Sequence, residues 1–133
     1  MDSLPVVVLV GHNTLVNGRI KNVFSNQNIT IYEAHSRREL LRILSQNNKV
    51  DLILTEIEID AKNGFNGINL IREVKARRSS IPVVMLTSVG KRDVITRCLR
   101  EGAADYILKP FKDEYLKEKL FKYLDIEKLT EST

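Results

Sequence analysis

The chain has 133 residues, 43% of them hydrophobic, which is enough for one compact core and sets a single domain as the default. Its 21 basic and 17 acidic residues leave a net charge of +4, too small an excess to imply nucleic acid by itself. No apolar run reaches the roughly 18 residues a membrane span needs, and "MDSLPVVVLV" has no basic n-region or cleavage site, so a cytoplasmic protein without a membrane partner is expected.

In chain order, short apolar runs alternate with amphipathic segments. "VVVLV" (6 to 10), "ITIYEA" (29 to 34), "DLILT" (51 to 55), "PVVML" (82 to 86) and "DYILK" (105 to 109) have the length and β-branched content of strands. Between them, helical spacing relates Leu15, Val16, Ile20, Val23 and Phe24, then Leu40, Leu41 and Leu44, then Leu70, Ile71 and Val74, then Val94, Ile95, Cys98 and Leu99. Leu116, Leu120, Tyr123 and Leu124 mark a last helix. Ser36 with Glu39 reads as a capping box, Asp113 as a helix start and Gly102 as a C-cap. Strands apolar on both faces and separated by helices call for a parallel sheet covered on both sides. One domain is expected over 1–126, with 127–133 a polar tail or the start of a linker.

The lone Cys98 cannot form an internal disulfide and reads as a structural thiol on a helix face. The sequon Asn28-Ile29-Thr30 matches the N-glycosylation pattern, a signal too short to carry weight in a cytoplasmic protein. The most informative stretch is "VDLILTEIEID", where an apolar run ends on Glu56, followed by Glu58. In an open parallel sheet, ligands sit beyond the carboxyl ends of the strands, so Glu56 lies on the functional edge.

"EGAADYILKPF" (101 to 111), "VVMLTS" with Thr87, and "DLILTEI", taken together in their order along the chain, resemble the receiver domain of two-component response regulators over roughly residues 5 to 125. The resemblance implies an α/β fold, a flavodoxin-like (βα)5 doubly wound five-stranded parallel sheet of order 2-1-3-4-5. It also implies phosphoryl transfer from a sensor kinase to an aspartate, with Mg²⁺ held by that aspartate, an acidic pair and a backbone carbonyl. Carried over by position, the acceptor falls on Glu56, the carbonyl on Glu58, the hydroxyl on Thr87, the lysine on Lys109 and the switch aromatic on Tyr106. The acidic pair falls on Gly11 and His12.

These departures imply an atypical receiver, a pseudo-receiver. Gly11 offers no ligand, and His12 offers a nitrogen better suited to transition metals, with no second His, Cys or carboxylate at metal spacing beside it. No cofactor is therefore expected, and Mg²⁺ binding is expected to be lost or very weak. Glu56 displaces its carboxylate by about an ångström, an error that costs on the order of 100-fold in transfer. Glu56 then stands in for the phosphorylated aspartate or is its relic. Pairing with Lys109 and an inward Thr87 would mark the first; outward Thr87 and Tyr106 would mark the second.

The expected function is non-enzymatic signalling through a protein partner at the surface of the fourth helix, last strand and last helix. That surface includes Lys91, Arg92, Arg97, Tyr106, Lys112 and Tyr115; a homodimer through it is also open. Two other classes stand beside this one. A phosphoacceptor at Glu58 or Asp60 lacks the support of Thr87 and Lys109. Nucleic-acid binding rests on Arg72, Lys75, Arg77 and Arg78 and a sequence pI near 9.3, without a recognised motif. The loop "EIDAKNGFNG" carries its Asn-Gly three residues later than the family's Asp-Gly and reads as a surface insertion.

Overall fold

A computed structural model describes residues 4–124. The strands are β1 (Val6–Val10), β2 (Thr30–Ala34), β3 (Leu52–Thr55), β4 (Glu58–Asp60), β5 (Phe65–Asn66), β6 (Val83–Thr87) and β7 (Asp105–Leu108). The helices are α1 (Thr14–Val23), α2 (Arg37–Gln46), α3 (Gly67–Arg77), α4 (Arg92–Glu101) and α5 (Asp113–Leu124). The tail at 127–133 lies outside the described residues.

Five strands form one parallel sheet in the order β2-β1-β3-β6-β7, the expected doubly wound order. Strand alternation divides the core in two. Val8, Val10, Ile53, Val83 and Met85 face α2, α3 and α4 through Leu40, Leu44, Leu70, Val74 and Cys98. Val7, Leu9, Leu52, Leu54, Val84 and Leu86 face α1 and α5 through Ile20, Val23, Leu116 and Leu120. Because both faces of β1, β3 and β6 are covered, their sequences read as unbroken apolar runs rather than alternating ones.

The helix signals hold with two adjustments. Ser36 caps α2 by accepting from Glu39 N–H at 3.1 Å, but the Glu39 carboxylate reaches back to His35 N–H rather than to Ser36. Gly102 ends α4 in the left-handed region at φ 117°, and Asp113 opens α5. Leu15 and Leu99, placed by spacing on buried stripes, are exposed. In α4 the fully buried residue is Cys98, and Leu99 lies a further 100° or so around the helix, outside the narrow strip that meets the sheet.

The surface-insertion reading of the loop after β3 is incomplete. β4 and β5 pair as an antiparallel hairpin closed by a 3₁₀ turn at Ala61–Asn63, and it buries Ile59 and Phe65 in the core beside α2 and α3. Asn66 and Asn69 then form a reciprocal capping box that starts α3. The insertion is thus anchored at both ends by packing.

Candidate functional site

Backbone ladders extend one residue past the strands and set the site. Glu56 N–H donates to Val10 O at 3.1 Å, Gly11 N–H to Ala34 O at 3.0 Å, and Lys109 N–H to Thr87 O at 2.9 Å. Gly11, Glu56, Thr87 and Lys109 are thereby brought to adjacent points on the carboxyl edge of the sheet.

At its centre, Lys109 Nζ meets Glu56 Oε1 at 2.5 Å, with the two side chains 15% and 20% exposed. Partial burial strengthens this charge-assisted hydrogen bond relative to one in open water. Thr87 is buried, and its hydroxyl accepts from Val89 N–H at 3.4 Å; it makes no hydrogen bond to the Glu56 carboxylate. Tyr106 is half-buried against the core, and its hydroxyl donates to Val89 O at 2.5 Å. Burial, followed by the neighbouring Cys98, pushes the Tyr106 phenol up to about 12. Burial likewise raises the Cys98 thiol, as befits a structural residue.

Gly11 and His12 occupy the edge beside Glu56. Gly11 sits at φ 143°, and a Cβ there would lie 2.6 Å from Glu56 Cγ. His12 is exposed and stacks on His35 with ring centroids 5.3 Å apart. Sequence spacing gave His12 no second histidine; the parallel pairing of β1 with β2 supplies one by placing the residues after both strands side by side. Among the described residues, no three His, Cys, Asp or Glu side chains form a group that could hold a metal. Glu58 is exposed on β4, and Asp60 accepts from Asn63 Nδ2 at 2.8 Å within the hairpin turn.

Around the pair lies a polar frame that sequence reasoning missed. Lys21 bonds one Glu33 oxygen and Asn17 Nδ2 donates to the other at 2.9 Å, together holding the Glu33 carboxyl below its usual range. Arg19 reaches from α1 to the segment after Lys109: its Nε pairs with Asp113 Oδ1 at 2.6 Å, its Nη2 donates to Phe111 O, and its guanidinium lies 4.4 Å above the Phe111 ring. These contacts join residues far apart in sequence, so no local pattern announces them.

On the adjacent surface, Lys91, Arg92, Arg97, Lys112 and Tyr115 are exposed. Leu108 and Leu99 are exposed there too. Leu108 was findable, since it shares a strand face with Tyr106 on an edge strand. A concavity of about 400 Å³ opens between Tyr106, Leu108, Pro110 and Tyr115.

The basic cluster considered for nucleic acid is engaged within the chain. Arg72 forms a two-pronged pair with Glu101 at 2.9 and 2.7 Å, and Arg77 meets Glu73 at 3.1 Å. Lys75 donates to the Ser79 and Ile81 carbonyls, and Arg78 donates to the carbonyls of Leu44, Asn47 and Asn48.

The family model "Response regulator receiver domain" matches residues 7–121. The chain belongs to the response-regulator receiver family. The receiver is 36% identical over 90 residues to the transcriptional regulatory protein MalR of Bacillus subtilis, covering 68% of this chain and 37% of MalR. It is 30% identical over 92 residues to a chemotaxis protein CheY homolog of Campylobacter jejuni, covering 68% of each. A response regulator from Thermotoga maritima, known as a crystal structure, superposes with a TM-score of 0.80 at 27% identity, covering 92% of this chain and 99% of that one. Since this receiver spans little more than a third of MalR, only a part of that regulator is matched. Among the described residues, no helix is long and apolar enough to cross a membrane.

Proposed function

We propose that this receiver signals without aspartyl phosphorylation, through a protein partner that docks on the surface of α4, β7 and α5. The observation that carries this reading is the Glu56–Lys109 pair at 2.5 Å. In this family, the acceptor carboxylate and the lysine are the groups that handle an incoming phosphoryl group. Here the pair satisfies both partners, so the pocket needs no phosphoryl group to be electrostatically complete.

The donor set does not fit Mg²⁺. A hard ion in a tight octahedron needs several oxygen ligands, whereas Gly11 has no side chain, His12 is stacked on His35, and one Glu56 oxygen is bonded to Lys109. Without charge neutralisation, transfer to a carboxylate loses the term on which it chiefly depends. Glu58 and Asp60 are poor substitutes, the first exposed and the second used in its own turn.

One mark of each remaining alternative is present. The Lys109–Glu56 pair is made, as a permanent stand-in requires, but Thr87 bonds to Val89 rather than to that carboxylate. The reading that accommodates both is a surface set in one arrangement, with Tyr106 fixed on Val89 whatever the phosphodonor supply. The exposed basic side chains Lys91, Arg92 and Arg97 at α4, with Leu108 exposed on β7 and Lys112 and Tyr115 exposed at α5, favour a partner with an acidic rim and an apolar contact.

The test is intact-mass measurement after incubation with Mg²⁺ and a small acyl-phosphate donor, with a phosphorylatable receiver alongside. The expected result is no adduct of one phosphoryl mass. A hydroxylamine-labile adduct in stoichiometric yield on Glu56, Glu58 or Asp60 would refute the proposal.

A further inference from the structure

We infer that Gly11 is the positioning residue that lets Glu56 seat on Lys109, so that the missing side chain just past β1 and the carboxylate just past β3 form one packing unit. The inference rests on the reading of the pocket as a closed ion pair, and adds what closes it.

A side chain at position 11 meets two obstacles. The backbone there stands at φ 143°, a conformation that residues with a Cβ adopt only under strain. Independently, its Cβ would lie 2.6 Å from Glu56 Cγ and 3.3 Å from Glu56 Cβ, well inside contact distance. The Cγ is a middle atom of a side chain pinned at both ends: its backbone N–H is bonded to Val10 O and its Oε1 to Lys109 Nζ. It cannot swing aside without breaking the ion pair. Gly11 is itself held by its N–H bond to Ala34 O, so the backbone of β1 cannot retreat cheaply.

The consequence is an order of events. An acidic residue at position 11 and Glu56 seated on Lys109 exclude one another. Rebuilding metal-ligating carboxylates along β1 therefore first dislodges Glu56, and any return of the pocket to ion binding requires a change at position 56 in the same chain. Glycine at 11 is not simply a lost ligand; it is the space the pair occupies.

The two obstacles separate in a double-mutant cycle, because left-handed strain persists whatever residue stands at 56, while the clash does not. Gly11→Ala, Glu56→Ala and the double variant are unfolded with urea, and the Lys109 ζ signal is followed by ¹⁵N NMR. The expected result is that Gly11→Ala raises the unfolding constant at least about tenfold more in the Glu56 chain than in the Glu56→Ala chain. The Lys109 ζ signal in Gly11→Ala should shift to its Glu56→Ala position, a change that strain alone would not produce. A Gly11→Ala chain that fails to fold while the double variant folds gives the same answer. Penalties that simply add, an unmoved Lys109 signal, or failure of both chains to fold would overturn the inference. None of these readouts involves phosphorylation, so a failure of the packing unit is distinguished from a failure of the proposed function.

Discussion

Tyr106 and Thr87 grip one residue from opposite sides: the Tyr106 hydroxyl donates to Val89 O at 2.5 Å, and the Thr87 hydroxyl accepts from Val89 N–H at 3.4 Å. The loop between β6 and α4 is thereby tied to Thr87, whose carbonyl accepts from Lys109 N–H. Burial that holds the Tyr106 phenol up to about 12 gives this contact a pH signature. The folded value lies above the ordinary 10.0, so the contribution is fully present below pH 10.0 and is lost as pH rises toward 12. Ultraviolet titration of the folded protein should show a phenolate component near 12 that is absent in Tyr106→Phe. If Tyr106→Phe leaves that component in place, Tyr106 is not held as described.

The ion pair makes a second prediction. Removing one partner leaves the other partly buried and uncompensated, so Glu56→Gln and Lys109→Met should each cost about 1–3 kcal/mol. The double variant should cost less than their sum, by a coupling of at least about 0.5 kcal/mol. Urea denaturation of the four chains measures both.

Arg78 predicts a stability effect with no functional counterpart. Its guanidinium donates to three carbonyls at the end of α2, from Leu44, Asn47 and Asn48. Arg78→Ala should lower stability by about 2 kcal/mol, and Arg78→Lys should recover only part, because an ammonium cannot span three acceptors in a planar fork. Thermal unfolding with both variants checks the ordering.

The hairpin offers a fourth. Phe65 is buried at 6% exposure in the core shared with α2 and α3. Phe65→Ala should cost about 3 kcal/mol, as for a core aromatic, whereas a replaceable surface insertion would lose less than about 0.5 kcal/mol.

The sheet was legible because burial on both faces leaves a one-dimensional signature: each apolar run from "VVVLV" to "DYILK" became a strand within a residue or so of its sequence limits. Helix ends were legible where chemistry is local, as at Ser36, Gly102 and Asp113. What failed was whatever depends on where a stripe meets the sheet, hence Leu15 and Leu99, and whatever needs two distant segments, hence the His12–His35 stack and the grip of Arg19 on Phe111 and Asp113. The hairpin was missed because strands of three and two residues around a 3₁₀ turn are too short for periodicity to register. At the site, strand order carries Glu56, Thr87 and Lys109 to one edge, and the family resemblance gives their expected roles. Their bonding was not legible, since the choice of Thr87 between Glu56 and Val89 is a matter of rotamer and loop position.

The Glu56–Lys109 ion pair closes the pocket. The most direct measurement is a backbone-amide NMR titration with Mg²⁺ followed by beryllofluoride, a mimic of the phosphoryl group. With the pocket so closed, the signals of Glu56, Thr87 and Lys109 should stay unchanged throughout. Saturable shifts at those residues that spread to Tyr106 and α4 would contradict it and make this receiver a phosphoryl switch.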